Sequence, residues 1–428
     1  MSLEGPTRVA VIGAGYVGLT TAACLSHLGH DVTCADVDEA KVASLADGVI
    51  PIHEEGLAEL VREGITAERL RFVLGASKAV AGAEFVFLCV PTPQGADGGA
   101  DMSYVQAVAA EIGPLLEHDT VVVNKSTVPV GSTRVVQQAL GRPGVSVLSN
   151  PEFLREGSAV GDFLHPDRIV IGADDQAAAI RLVELFAGVR SPVVVTDPPT
   201  AETIKYASNA FLATKVSFVN AIANVCEAVG ANVREVVLGM GYDRRIGSEF
   251  LRPGPGWGGS CFPKDSAALV RIAENAGYDF GLLKGVIEVN TQQQERVVNK
   301  VVEAAGGTLA GKRVAAWGLT FKAGTDDLRD SPAVAVIERL AAAGAEVTAY
   351  DPTRRDPLPA MTVVADPYDA CEDASVLAVL TEWDQFRWLD LGLVRSRMAS
   401  PRIVDTRGLI EPAAARRAGF VLSGVGMP

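Results

Sequence analysis

A β-branched run, Arg8-Val-Ala-Val-Ile-Gly13, leads straight into Gly13-Ala-Gly15-Tyr16-Val17-Gly18 and then into an apolar stretch of helical length that ends at Leu28. Few folds accommodate that order. A buried strand turns at the first glycine, the backbone lies open at the second, and a helix packs closely at the third. The leading N–H groups and the dipole of that helix form an anion site suited to the pyrophosphate of a dinucleotide. Gly29 stops the helix, and His30-Asp-Val-Thr-Cys-Ala-Asp36 reads as a second strand ending in a carboxylate. An acid there accepts hydrogen bonds from both ribose hydroxyls and repels a 2′-phosphate, which favours NAD over NADP. Asp38 could share or take that role. Without a ligand the same glycines would be a tight turn and Asp36 a solvated strand end.

Further strand-like runs at 84–90, 120–124, 145–148 and 168–172 alternate with helical stretches, the pattern of βαβ units in a parallel sheet covered on both faces. From 200 to 229 there is neither Gly nor Pro, and Thr200-Ala-Glu202-Thr offers a cap followed by an acid. This predicts a helix of roughly 45 Å, long enough to span a domain junction. A loop at 239–265, dense in Gly, Pro and Arg, follows. A second βαβ pattern runs from Lys312-Arg-Val-Ala-Ala-Trp-Gly318 to Glu346-Val-Thr-Ala-Tyr-Asp351, with Ser331-Pro332 as helix start and Gly344 as stop. The halves read as a weak internal repeat. The expected fold is therefore α/β, with two Rossmann-like doubly wound parallel-sheet domains joined by a long central helix. Expected boundaries are 1–199, 200–297 and 298–428.

At 428 residues the chain has room for two or three domains. Its 38 Lys+Arg against 52 Asp+Glu give a formal charge of −14, which argues against nucleic-acid and anionic-membrane partners. Cys24, Cys34, Cys89, Cys226, Cys261 and Cys371 form no CxxC pair, so no metal site or disulfide framework is expected and a cytoplasmic location fits best. The apolar N-terminal run is broken by Gly13, Gly15 and Gly18 and lacks a preceding basic cluster, and no other stretch approaches ~18 uninterrupted apolar residues, so a soluble protein is expected.

Cys261 sits in Gly258-Gly-Ser-Cys-Phe-Pro-Lys264-Asp265, just before a helix expected at 266–274. Lys264 and the helix N-terminus both favour a thiolate, so Cys261 is either a nucleophile or a small buried hydrophobe. Asp265 could be that helix's N-cap. Lys205 and Asn209, four apart, place a charge and an amide on one largely apolar helix face; Lys205 could also snorkel to solvent. Glu152 and Glu156 lie in Asn150-Pro-Glu-Phe-Leu-Arg-Glu-Gly157, which could equally be a capped turn, and Thr127 follows a strand, where α/β sheets bind ligands.

Taken in order, Gly13–Gly18, Val90-Pro-Thr-Pro93, Ser126-Thr-Val-Pro-Val-Gly131, Asn150–Gly157, Lys205-Tyr-Ala-Ser-Asn209, Gly259-Ser-Cys-Phe-Pro-Lys-Asp265 and Phe321-Lys-Ala-Gly-Thr-Asp-Asp-Leu-Arg-Asp-Ser-Pro332 resemble, along nearly the whole chain, the nucleotide-sugar 6-dehydrogenases of the UDP-glucose/GDP-mannose dehydrogenase family, most nearly the branch that oxidises UDP-glucose. The resemblance implies a four-electron oxidation of a nucleoside-diphosphate sugar at C6, alcohol to aldehyde to acid, with two NAD per turnover. It makes 1–199 the NAD-binding domain, 200–297 a central helical, dimer-forming domain with the cysteine loop, and 298–428 the sugar-nucleotide domain.

By the same resemblance Cys261 is the nucleophile, with Lys205, Asn209, Asp265, Glu152 and Thr127 around the reacting oxygen and its water. Gly13, Gly15, Tyr16, Val17, Gly18, Asp36, Pro91, Thr92, Ser126, Thr127, Glu156 and Arg329 are implied to contact the cofactor. Phe153, Leu154, Lys205, Asn209, Arg245, Phe250, Leu251, Trp257, Gly258, Phe321, Lys322 and Arg407 are implied to contact substrate, Arg245 from the partner of a homodimer or higher oligomer. Trp257 stands where the family usually has Phe or Tyr; placed against the nucleotide, it would bear on base selectivity. That keeps dTDP-glucose and GDP-mannose as alternative substrates. A two-electron 3-hydroxyacid or 6-phosphogluconate-type dehydrogenase shares the Lys and Asn spacing but leaves Cys261 and the second α/β domain without a role.

Overall fold

The structure, a computed structural model, describes residues 5–95 and 99–427. They divide into two compact units, 1–208 with 267–277, and 209–266 with 278–428, the division falling within the long helix.

In the first unit β1 (Arg8–Ile12), β2 (Asp31–Asp36), β3 (Leu70–Leu74), β4 (Phe85–Leu88), β5 (Val121–Asn124), β6 (Ser146–Ser149), β7 (Ile169–Gly172) and β8 (Val193–Thr196) form one sheet in the order β3-β2-β1-β4-β5-β6-β7-β8. Val9 and Val11 enter one core and Ala10 and Ile12 another, so both faces are covered, which is why the strand reads as an unbroken apolar run. Pairing is parallel except between β6 and β7, where Ser149 lies opposite Gly172 in antiparallel register. The expected parallel sheet is borne out apart from this one antiparallel pair.

The second unit holds β9 (Arg313–Trp317), β10 (Glu346–Tyr350), β11 (Thr362–Val364), β12 (Val376–Val379), β13 (Arg402–Asp405) and β14 (Val421–Gly424), in the order β11-β10-β9-β12-β13-β14. Its order matches that of the first six strands of the other sheet, the Rossmann arrangement. The repeat extends to atomic detail. The Gly13 N–H donates to the Ala35 carbonyl and the Ala14 N–H to the Asp36 carboxylate; the Gly318 N–H donates to the Tyr350 carbonyl and the Leu319 N–H to Asp351. The copies diverge in what else reaches the acid. Thr320, Thr353 and the Trp383 indole also bind Asp351, which is fully buried.

The long helix spans Pro198–Val229, 32 residues or about 48 Å. It starts two residues before the expected Thr200, because Pro198 and Pro199 fit a first turn whose N–H groups have no partners to lose. Asp197, not Thr200, accepts the Thr200 N–H at 2.9 Å. The helix is long and apolar enough to cross a membrane by length and composition, and about a third of its most apolar stretch is buried in the protein. Its buried polar residues Glu202, Lys205, Asn209, Ser217 and Asn220 each make a hydrogen bond within the protein, as in a core helix.

Candidate active site

The dinucleotide loop follows β1 at the point where strand order reverses, beside the end of β4. Gly13 has φ +101°, and a Cβ there would fall 2.6 Å from the Cys89 carbonyl oxygen. At Gly18 a Cβ would strike the Gly13 carbonyl at 1.8 Å, whereas at Gly15 it would meet nothing within 4 Å. Turn, close packing and an open cradle are thus distributed over the three glycines as a bound pyrophosphate requires. Asp36 accepts the Ala14 N–H at 2.9 Å, the Asp38 N–H at 3.0 Å and Lys41 Nζ at 3.0 Å. Burial alone would raise its pKa; the Asp38 N–H, Lys41 and the Ala14 N–H outweigh burial and hold it below the usual carboxylate range. The Asp38 side chain is occupied in capping the helix Glu39–Ala46 through the Lys41 N–H. Of the two acids, Asp36 therefore faces the glycine loop.

The Tyr16 hydroxyl donates to Glu54, which also accepts the N–H groups of Gly157 and Ala159 at 2.7 Å each. Burial, then Glu54, drives the Tyr16 hydroxyl pKa far upward, and Glu156 adds to the effect from nearby. Val17 packs on the core. Pro91 is exposed, while the Thr92 hydroxyl donates to the Thr127 carbonyl at 2.8 Å and the Ser126 hydroxyl to Val90 at 2.7 Å, tying the segments after β4 and β5 together.

After β6, Glu152 meets Lys205 Nζ at 2.9 Å, both side chains 5% exposed. This excludes the snorkelling alternative for Lys205. The Leu154 N–H donates to the other Glu152 oxygen at 2.6 Å. Burial would raise the pKa of Glu152, but Lys205, the Leu154 N–H and Lys125 together hold it below the ordinary range. The Phe153 ring lies under Lys205 and Arg168. Lys125, not singled out by the sequence, is buried with Nζ 3.0 Å from Asn150 Oδ1, and burial lowers its pKa.

In the second unit Cys261 immediately precedes the helix Phe262–Asn275, and its carbonyl accepts the Asp265 N–H at 2.8 Å. Cys261 thus occupies the N-cap position. The helix begins four residues earlier than expected, so Asp265 lies in its first turn and is not its cap. Asp265 is fully buried, accepts the Asn209 side-chain amide at 2.6 Å and pairs with Lys264 at 2.9 Å. Cys261 is partly accessible, with Sγ 3.5 Å from the Ser260 hydroxyl, whereas the other five cysteines are buried. Burial pushes Cys24, Cys89 and Cys371 up to about 12, far from thiolate formation at neutral pH.

The loop before Cys261 is built on close approach. A Cβ at Gly258 would fall 1.9 Å from the Asp330 carbonyl oxygen, and one at Gly259 2.8 Å from the Phe321 ring. The Gly259 N–H donates to the Arg329 carbonyl. Arg329 pairs with Asp327, and Lys322 Nζ lies 5.6 Å from the Phe321 ring centroid. Trp257 is 7% exposed, gives its indole N–H to Ser217 at 2.8 Å and meets the Phe262 ring edge-on. Its indole is engaged with the protein, a placement the sequence did not foresee. Phe250, at φ +60°, also packs near Phe262, and Leu251 is buried. Arg407 donates to the Leu380 carbonyl and pairs with Glu382, and a Cβ on Gly254 would lie 3.0 Å from its guanidinium. Arg245 differs from these: it is 88% exposed and paired with Asp243.

Family models for the UDP-glucose/GDP-mannose dehydrogenases match residues 7–190 (NAD binding domain), 199–292 (central domain) and 315–412 (UDP binding domain). The chain is 46% identical over 435 residues to UDP-glucose 6-dehydrogenase of Rhizobium meliloti, covering 98% of this chain and 100% of that protein. It is 43% identical to UDP-glucose 6-dehydrogenase TuaD of Bacillus subtilis, covering 98% and 93%. A solved UDP-glucose dehydrogenase from Pyrobaculum islandicum superimposes with TM-score 0.92 at 37% identity, covering 100% of this chain and 99% of that one.

Proposed function

Since the chain belongs to the UDP-glucose/GDP-mannose dehydrogenase family and is an NAD-dependent nucleotide-sugar dehydrogenase of the UDP-glucose 6-dehydrogenase type, we propose that it oxidises UDP-glucose at C6 to the uronate through a covalent adduct on Cys261. The observation that carries this reading is the partly accessible Cys261 thiol at the N-terminus of the helix Phe262–Asn275, where the helix dipole favours a thiolate.

NAD, when bound, supplies the hydride acceptor, used twice per sugar. Gly13, Gly15 and Gly18 would hold its pyrophosphate with Tyr16 and Val17 alongside, and Asp36 its ribose. Pro91, Thr92, Ser126, Glu156 and Arg329 are assigned as further cofactor contacts. In the first oxidation the C6 alcohol loses a proton and a hydride to give the aldehyde. Cys261 Sγ then forms a bond to C6, and the carbonyl oxygen takes up a proton to give a thiohemiacetal. Loss of a second hydride and that proton gives a thioester. Water attacks C6, the C–S bond breaks, and the thiolate is restored as the uronate leaves.

Lys205 and Asn209, one turn apart on one helix, are assigned to the oxygen that becomes negative in these steps, where a cation and an amide donor lower the barrier. Asp265 fixes the direction of the Asn209 amide. Glu152, kept anionic despite burial, and Thr127 orient or deprotonate water. Phe153, Leu154, Phe250, Leu251, Gly258, Phe321, Lys322 and Arg407 are assigned to the sugar nucleotide. Trp257 is assigned there too, its indole N–H held by Ser217, and the sugar-nucleotide panel below tests its bearing on base selectivity.

The functional regions are proposed as 1–199, 200–297 and 298–428, in a cytoplasmic homodimer. Phe211, Phe218 and Val225 recur every seven residues on the long helix and stay 64%, 49% and 55% exposed, the seam of a helix awaiting a second copy. Arg245 would then be delivered to the partner's substrate. UDP-glucose, dTDP-glucose, GDP-mannose and N-acetylated sugar nucleotides, assayed for NADH, test the substrate. The reading requires UDP-glucose to have the highest kcat/KM; a clear preference for dTDP-glucose or GDP-mannose would overturn it.

A further inference from the structure

Glu202, three residues before Lys205 on the long helix, is an acid with no part in the proposed chemistry. It is buried, and its carboxylate lies across the start of the helix Ser132–Leu140. One oxygen accepts the Gly131 N–H at 2.5 Å; the other accepts the Thr133 N–H at 3.0 Å and the Thr133 hydroxyl at 2.8 Å. That helix has no cap of its own, since its N-cap residue is Gly131, at φ +95° and without a side chain. A carboxylate delivered from 69 residues away satisfies N–H groups that would otherwise be orphaned.

We propose that Glu202 is a positioning residue for the oxidation. It latches the 126–131 loop, and with it Thr127, to the helix that carries Lys205. Lys205 grips Glu152 on the segment after β6, and Glu202, from the preceding turn, grips the segment after β5. The two loops given water-handling roles are thereby referenced to one rigid element. Thr127 is further held by the Thr92 hydroxyl, so its freedom is limited on the strand side as well. The inference rests on the role given above to Thr127.

The test is a double-mutant cycle of Glu202→Gln with Thr127→Ala, read as kcat, KM for both substrates, and amide hydrogen exchange at Gly131 and Thr133. A Gln side chain places an NH2 group against one set of N–H donors and keeps only half of the latch. Glu202→Gln is expected to lower kcat by about tenfold or more, since small misplacements of a reacting group are costly. KM should stay within about threefold, as contacts that bind ground and transition states alike are not involved. Exchange at Gly131 and Thr133 should quicken, and Glu202→Gln should cost nothing further in the Thr127→Ala background. Wild-type kcat in Glu202→Gln, or an effect that adds in full to Thr127→Ala, overturns the proposal. If Thr127→Ala alone leaves kcat unchanged while exchange quickens in Glu202→Gln, the role of Thr127 is what fails, and the route through it fails too. Should Glu202→Gln not fold, Thr133→Val removes one of the same bonds and carries the cycle.

Discussion

Lys205 and Glu152 form an ion pair at 2.9 Å with both side chains 5% exposed, the Lys from the long helix and the Glu from the segment after β6. Desolvation makes such a pair a weak source of net stability, but removing one partner leaves a buried charge without compensation. Lys205→Met should cost about 3–5 kcal/mol in denaturant unfolding at pH 7, and Lys205→Met with Glu152→Gln should recover much of that loss. Because the folded pKa of Glu152 is depressed, its contribution is complete above the unfolded value of about 4.3 and is lost only as pH falls through the lower folded value. The penalty of Lys205→Met should accordingly shrink in acid. A penalty that stays constant as the pH is lowered from 7 until Glu152 is protonated in the folded protein would contradict this.

Asp36 binds both the glycine loop and Lys41. Asp36→Ala should weaken NAD binding and raise kcat/KM for NADP, because it removes a repulsive carboxylate and releases the Lys41 ammonium beside the site of a 2′-phosphate. Asp38→Ala should leave cofactor preference alone and cost about 1 kcal/mol as a lost helix cap. Steady-state kinetics with both cofactors decide it; a switch in preference in Asp38→Ala would reverse the assignment.

Arg407→Ala and Lys322→Ala should raise KM for the sugar nucleotide with little change in kcat, since groups remote from C6 bind ground and transition states alike. Arg407 is already aligned by Leu380 and Glu382, so its loss removes a preset contact. A fall confined to kcat would contradict the nucleotide-holding role of the C-terminal region.

Phe211→Glu with Phe218→Glu should convert the protein to monomer in light scattering and, if Arg245 acts across the interface, abolish most activity. A monomeric variant with full activity would sink delivery of Arg245 from a neighbour.

Where local pattern and tertiary need coincide, the sequence reads directly: the strand, glycine loop and helix from Arg8 to His27, and Ser331 capping the helix that Gly344 ends. Strand β3 escaped because Arg71 interrupts its apolar run; β8, Val193–Thr196, is an unbroken valine run, but too short to separate from a loop, and its valines stay exposed at the sheet edge. The start at Phe262 was hidden by Pro263, which looks like a loop residue yet fits a first turn. Glu54, Lys125 and Glu202 were missed or misread for one reason. Each acts on groups distant in sequence, such as the 103 residues between Glu54 and Gly157, and no spacing rule connects them. Glu202 read as a local capping acid because its real partners lie on another helix. The antiparallel β6–β7 pair was equally invisible, since a buried apolar run carries no direction.

The most direct measurement is the ratio of NADH formed to UDP-glucose consumed, with identification of the product, in the wild type and in Cys261→Ala. Oxidation of an aldehyde by hydride loss needs a tetrahedral adduct, which we propose the Cys261 thiolate supplies. The wild type should give two NADH per sugar and a uronic acid, and iodoacetamide should inactivate it unless substrate protects. Cys261→Ala should bind NAD and UDP-glucose yet make essentially no acid. Uronate formed by Cys261→Ala at near wild-type rate, or aldehyde released by the wild type with one NADH per sugar, would contradict the account.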